Sequence, residues 1–131
     1  MAYEIKQIDN APIWVATYTE PYNAIVDAGA VDAEMTSITA GMEGPIYYIP
    51  DLRATDVNFG QIVEGMAAAF QPGVKSFYND PRVKILTVGT NELIKMATVA
   101  AASKQYGEID IQIFATPEEA IAHAQAEIAA S

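Results

Sequence analysis

Hydrophobic positions along this chain first alternate, then recur every three or four residues, and these changes of period mark the predicted elements. The run IWVATYT (13–19) is β-branched and aromatic and predicts a strand, and a shorter strand at 3–8 precedes it. A tight turn at 9–12 joins the two strands into an antiparallel hairpin. From 23 to 40 the apolar residues follow a helical spacing, which predicts an amphipathic helix with Asp27, Asp32 and Glu34 mostly on its solvent-exposed side.

After the hairpin, strands and helices alternate to the end of the chain. Further strands are predicted at 45–50, 83–88 and 109–114, and further helices at 57–70, at 92–105 and from Pro117 onward. The order is therefore ββαβαβαβα, without internal repeats. It predicts a single α/β domain over residues 1–131, with a mostly parallel five-stranded mixed sheet, an N-terminal antiparallel hairpin and about four helices.

The loops that follow the parallel strands are the predicted binding region, because ligands of open α/β sheets favour the carboxyl ends of the strands. Helix N-termini in these loops offer unpaired N–H groups, and an anion or a partner's carboxylate would suit them. Ordinary helix capping explains several of the same residues. The candidate ligand- or partner-binding residues are Asp51, Arg53, Thr55, Asp56, Gly89, Thr90 and Asn91.

Four other side chains have a predicted place. Tyr47 and Tyr48 occupy successive strand positions, so they face opposite sides of the sheet. Thr116 begins a TPEE run that predicts a capping box at the start of the last helix. His123 lies on that helix with glutamates four residues before and after it, which indicates a solvated face rather than a catalytic base.

Composition and charge exclude several classes of function. The 131 residues include no Cys and one His, which rules out disulfides, thiol nucleophiles and multi-His metal sites, so we expect no cofactor and no metal. A net charge of −10 argues against binding nucleic acid or an anionic membrane. No apolar run is long enough to span a bilayer, and the N-terminus lacks a signal-peptide pattern, so we expect a cytoplasmic protein.

Catalytic motifs are equally scarce. The sequence has no P-loop, no G-x-G-x-x-G after a strand, no G-x-S-x-G and no H-E-x-x-H. Asp51 directly follows a buried strand, so it is either a partly desolvated carboxylate or a hydrogen-bond acceptor for the next loop. Enzymatic activity is therefore unsupported, although a small hydrolase or isomerase built on Asp51 stays open.

Three segments together resemble the STAS-like family, which includes the SpoIIAA-like anti-sigma-factor antagonists and small STAS/SEC14-like bacterial proteins. They are IYYIPDLR (46–53), VKILTVGTN (83–91) and IFATPEEA (113–120), and with the element order the resemblance covers nearly the whole chain. It implies a mixed sheet with helices that acts in protein–protein regulation or, as in SEC14-like relatives, holds a lipid.

One departure from the family pattern bears on mechanism. STAS-type antagonists carry a phosphorylatable Ser or Thr in an Asp-Ser-x-Gly-like run, whereas the matching stretch here, DVNFG (56–60), has no hydroxyl between its Asp and its Gly. Thr55 is the nearest substitute, and a phosphate there would be repelled by Asp51 and Asp56. The departure argues against a kinase-switched mechanism.

The sequence thus favours a non-catalytic regulatory or interaction module that binds a protein partner. The alternative is a small apolar-ligand or lipid carrier, suggested by alanine-rich helix faces. Segment 57–78 carries more apolar residues than one helical stripe needs, which predicts a homodimer through that surface.

Overall fold

The five predicted strands and the first and last predicted helices are present in the computed structural model, which describes residues 3–21, 23–55, 77, 80–89 and 111–130. The strands are β1 (Tyr3–Gln7), β2 (Ile13–Thr19), β3 (Ile46–Ala54), β4 (Val83–Val88) and β5 (Ile111–Phe114), and the helices are α1 (Ala24–Ile38) and α2 (Pro117–Ala130).

The five strands form one sheet in the order β1-β2-β3-β4-β5, so each strand lies beside its neighbour in sequence. β1 pairs antiparallel with β2, and the other three pairs are parallel. The predicted mixed sheet with an N-terminal antiparallel hairpin is therefore confirmed. The described ranges contain two helices rather than about four, and neither is long and apolar enough to cross a membrane. The helices predicted at 57–70 and 92–105, and the dimer surface predicted at 57–78, lie outside the described residues.

The hairpin turn has the geometry that its residues favour. Asp9 and Asn10 adopt left-handed φ angles of 50° and 56°, and Ala11 donates its N–H to the carbonyl oxygen of Ile8 at 2.9 Å. Two successive positive φ angles identify a type I′ turn, whose twist matches that of the flanking strands. The predicted tight turn between the first two strands is confirmed.

α1 begins with a reciprocal cap. Asn23 Oδ1 accepts a hydrogen bond from the N–H of Val26 at 2.9 Å, and Asp27 Oδ2 accepts one from the N–H of Asn23 at 2.7 Å. Asp27 is buried, so its predicted place on the solvent-exposed side of the helix is wrong: its carboxylate turns back to the helix start. After α1 ends at Ile38, Gly41 has a φ of 83° and redirects the chain, as Gly often does beyond a helix.

The sheet is covered on both sides, by α1 on one face and α2 on the other, which we call the α1 face and the α2 face. The buried residues of the α1 face are Trp14, Ala16, Tyr18, Val31, Met35, Ile46, Tyr48, Phe77 and Ile85. Those of the α2 face are Ile13, Val15, Tyr47, Ile49, Leu86, Val88, Ala120 and Ala124. Tyr47 and Tyr48 fall on opposite faces, as their successive strand positions predict.

Candidate functional site

The candidate site lies at the carboxyl end of β3, the central strand of the sheet. The sequence predicts that this strand stops at Pro50, and that prediction is wrong: β3 runs to Ala54 and includes Asp51 and Arg53. Pro50 has no N–H to donate, yet the pairing continues beyond it because Asp51 lies opposite Thr17 of β2 and Val88 of β4. Strand alternation then places Asp51 and Arg53 on the α2 face.

Asp51 and Arg53 form a fork-shaped ion pair. Asp51 Oδ1 accepts hydrogen bonds from the backbone N–H and the Nε of Arg53 at 3.1 and 3.0 Å, and Oδ2 accepts one from Nη2 at 3.0 Å. The Asp51 side chain is 6% exposed and the Arg53 side chain 45% exposed. The hydrogen bond to Asp51 is the main reason that the pKa of Arg53 lies above its usual value. A nearly buried carboxylate therefore holds a half-exposed guanidinium in one orientation.

Two other candidate residues have mainly local roles. Gly89 is buried just after β4, and its N–H donates to the carbonyl oxygen of Phe114 at 3.1 Å. The Thr55 hydroxyl donates to the carbonyl oxygen of Leu52 at 2.8 Å, so it closes a turn at the end of β3. The structure therefore brings Asp51, Arg53, Thr55 and Gly89 together at the carboxyl ends of the parallel strands, which we call the carboxyl edge of the sheet. Asp56, Thr90 and Asn91 lie outside the described residues.

The start of α2 lies at the same edge and is capped by its own side chains. Thr116 Oγ1 accepts the N–H of Glu119 at 3.2 Å, which confirms Thr116 as the predicted N-cap. Glu119 Oε2 turns back as a capping-box glutamate does, but it accepts the N–H of Ala115 at 3.3 Å rather than that of Thr116. Glu118 is close enough to contribute to the raised pKa of Arg53. The Thr116 hydroxyl and the Glu119 carboxylate accept these N–H groups, and Glu118 borders the guanidinium. This end of the sheet therefore presents mixed charge rather than a simple anion site.

A second polar cluster lies on the α2 face, where Lys84 joins His123 and Glu127 of α2 in a contact that the sequence does not predict. Lys84 Nζ donates to Glu127 Oε1 at 3.0 Å and lies 5.7 Å from the centre of the Tyr47 ring. This hydrogen bond is the main cause that lowers the pKa of Glu127, whereas burial is the main cause that raises the pKa of Tyr47. His123 Nε2 lies 2.8 Å from Glu127 Oε2, at ion-pair distance but without hydrogen-bond geometry. His123 is thus half-buried rather than on a fully solvated face.

An open hollow of about 340 Å³ lies at the opposite end of the sheet from Arg53. Its lining includes Gln7 and Asn10 of the hairpin, Glu43 and Gly44 before β3, and Ile128 of α2. The volume is at the lower end of ligand pockets and the hollow is open, so it would bury only part of a small ligand. In the described ranges, no three His, Asp or Glu side chains converge as metal ligands would.

The comparisons with known proteins give a match at the level of the fold. No family model matches the sequence, and no curated protein does. A crystal structure of an uncharacterized protein of the DUF3478 family from Shewanella loihica PV-4, described as having a SpoIIAA-like fold, is similar to this chain with a TM-score of 0.55. The match covers 92% of this chain and 90% of that one, at 16% sequence identity.

The chain has a SpoIIAA-like fold.

The resemblance found in the sequence is therefore confirmed for the fold. At 16% identity the SpoIIAA-like fold brings with it no assignment of activity, partner or site residue. Those have to be argued from the residues at the carboxyl edge of the sheet.

Proposed function

We propose that this protein is a non-catalytic interaction module that binds a protein partner through the carboxyl edge of its sheet, with Arg53 as the central contact. The SpoIIAA-like fold is compatible with a regulatory or interaction role. A cytoplasmic location is part of the proposal.

The observation that carries the proposal is the Asp51–Arg53 pair. Two hydrogen bonds to Asp51 fix the guanidinium on the central strand and a third comes from the backbone N–H of Arg53, while 45% of the Arg53 side chain stays exposed. Among the described residues, Nη1 of Arg53 has no acceptor, so it is available to a partner. Arg is enriched among the residues that dominate binding energy at interfaces, and an arginine that is already ordered loses less entropy on binding.

The same geometry argues against the hydrolase or isomerase alternative. A general base has to reach the proton that it removes, and both oxygens of Asp51 already accept hydrogen bonds from Arg53. The Asp51 side chain is also only 6% exposed, which leaves a substrate little access. Asp51 is better explained as the residue that positions Arg53.

The charge at this edge defines the kind of partner surface that fits. Arg53 lies near the acidic start of α2, where Glu118 is exposed. A partner that places a carboxylate against Arg53 and a Lys or Arg against Glu118 would match both charges. A purely anionic ligand would meet the repulsion of Glu118.

Native mass spectrometry of the protein, purified gently from its own host, tests the proposal. We expect a complex with a second protein that is lost when Arg53→Ala removes the contact. The companion variant Asp51→Asn/Arg53→Ala should lose it too, without leaving a buried carboxylate unpaired. Lys84→Ala is the matched control, because Lys84 is also 45% exposed and ion-paired but lies near the amino end of β4.

Three outcomes would contradict the proposal. A protein complex that survives both Arg53 variants would place the binding surface elsewhere. Loss of the complex in Lys84→Ala as well would indicate a general effect of charge. A bound small molecule in place of a protein would support the carrier alternative.

A further inference from the structure

The outer edge of β1 is open in the described part of the chain, because β1 is the first strand of the sheet and pairs only with β2. The N–H of Ile8 donates to a β2 carbonyl oxygen 2.9 Å away. In an antiparallel pair, residues that turn their N–H and C=O toward the neighbouring strand alternate with residues that turn them away. The outward-facing backbone groups of β1 therefore belong to Tyr3, Ile5 and Gln7.

We propose that this edge pairs antiparallel with the same edge of a second copy of the chain, with Ile5 opposite Ile5. In this register Tyr3 of each copy lies opposite the partner's Gln7. All the outward N–H and C=O groups of β1 then find partners, in six hydrogen bonds that extend the sheet from five strands to ten. This surface is separate from the site at Arg53, and it does not depend on the function proposed for that site.

Charge complementarity selects the register. Centring on Ile5 places Glu4 opposite the partner's Lys6 and Lys6 opposite the partner's Glu4, and both residues are exposed. These are the pairs without backbone hydrogen bonds, in which the side chains come closest. If the partner strand slid by one residue, residues whose backbone groups face outward would lie opposite residues whose groups face β2, and the hydrogen bonds could not form. The next possible registers place Glu4 against Glu4 or Lys6 against Lys6, so both neighbouring registers repel.

Burial of apolar side chains also favours this dimer. Tyr3 and Ile5 are partly buried and pack against the cluster on the α1 face. A two-fold axis perpendicular to the sheet keeps the α1 faces of the two copies on one side. The two Ile5 side chains then become cross-strand neighbours, about 5.5 Å apart at Cα, and each covers apolar surface that is open in the single copy.

The interface is small compared with that of a stable complex, so we expect a reversible dimer that forms as concentration rises. Sedimentation velocity of the full chain, from about 1 μM to about 1 mM, should show a monomer–dimer equilibrium. Glu4→Lys alone and Lys6→Glu alone should each weaken the dimer at least about tenfold, because both attractive pairs become repulsive. The double variant Glu4→Lys/Lys6→Glu should restore it.

A mixture of the two single variants provides the decisive arm. Glu4→Lys carries two lysines on the strand and Lys6→Glu carries two glutamates, so the mixture should form a heterodimer although neither variant dimerises well alone. Glu118→Lys is the control, because it changes the net charge by the same amount as Glu4→Lys at an exposed site on α2, and it should dimerise like the wild type.

Either of two results would overturn the proposal. One is a wild-type chain that stays monomeric over the whole concentration range. The other is a dimer that is indifferent to the single variants or is not restored by the double variant. Circular dichroism of each variant separates loss of pairing from loss of fold.

Discussion

Arg82 connects the end of α1 to the start of β4. Its Nη1 donates to the carbonyl oxygens of Thr39 and Met42 at 3.2 and 2.6 Å, and its Nη2 donates to Asp80 Oδ2 at 2.8 Å. Gly44 makes this approach possible, because a Cβ at that position would lie 2.9 Å from the Cβ of Arg82. Gly44 thus has both a left-handed φ of 78° and no room for a side chain.

Three glycine-to-alanine variants separate these two constraints. Gly29→Ala should stabilise the fold by about 0.5–1 kcal/mol, because Gly29 lies inside α1 with nothing near its missing Cβ. Gly41→Ala should cost about 1 kcal/mol through its left-handed φ alone. Gly44→Ala should cost about 2 kcal/mol or more, since the clash with Arg82 adds to the same strain. Urea unfolding of the three variants checks the order, and equal costs at Gly41 and Gly44 would contradict it.

The Asp80–Arg82 pair should make stability depend on pH in the acid range. The side-chain hydrogen bond from Arg82 is the main cause that lowers the pKa of Asp80 below its ordinary value of 3.8. Because the folded protein favours the ionised form, the pair stabilises the fold fully above that value, and the stabilisation is lost as the pH falls through the lower folded pKa. Urea unfolding between pH 7 and pH 2.5 should show that the free energy of unfolding falls less with acid for Asp80→Asn than for the wild type. An equal loss in both would contradict this.

At the scale of the element, α2 packs on the sheet through its smallest side chains. Ala120 and Ala124 are fully buried against strand residues, whereas Ala122 on the same helix is exposed. Ala124→Leu should therefore destabilise the fold by about 1–3 kcal/mol by forcing the helix from the sheet, and Ala122→Leu should have little effect. Thermal unfolding of the two variants measures the difference. Equal melting temperatures would mean that α2 does not sit on the sheet as described.

Most element types were predictable because they follow from local pattern. The β-branched run of β2, the alternation of β5 and the N-cap at Thr116 each carry their own signal. Strand order was not predictable, because the right-handed crossover rule fixes the hand of each connection and not the neighbours. The end of β3 was misjudged because Pro50 and Asp51 are typical of a loop, whereas pairing to strands on both sides carries β3 to Ala54.

The candidate site was predictable in its location and not in its internal geometry. The rule for carboxyl ends of parallel strands selects Asp51, Arg53 and Gly89 from sequence alone. That Asp51 and Arg53 bind each other follows only when both lie on one strand, two residues apart on the same face. The i, i+4 spacing of His123 and Glu127 was visible in the sequence. The contact of Lys84 with Glu127 was missed because it joins β4 to a helix about forty residues later, and no local pattern signals it.

At the scale of the whole molecule, net charge opposes the folded state. With a net charge of −10 on 131 residues, folding brings carboxylates closer together, so their mutual repulsion is stronger in the folded chain than in the unfolded one. Raising NaCl from about 0.02 M to about 0.5 M at pH 7 should screen this repulsion and raise the melting temperature by a few degrees. Near pH 4.2, where the net charge approaches zero, the rise should disappear. A fall in melting temperature with salt at pH 7 would show that attractive pairs dominate.

The position of α2 has a consequence for the order in which the molecule is made. Strands β1 to β5 can pair in the order in which they leave the ribosome, since each joins its predecessor. On the α2 face, Ile13, Tyr47 and Leu86 pack with the buried alanines of α2, and α2 follows all five strands along the chain. Among the described residues, this cover is therefore made only after the sheet. A nascent chain that has made β5 but not yet the fourteen residues of α2 is therefore open to chaperones and to aggregation at this face. A chain stopped after Thr116 should bind a hydrophobic dye that the full chain does not, and equal binding would show that α2 leaves this face open.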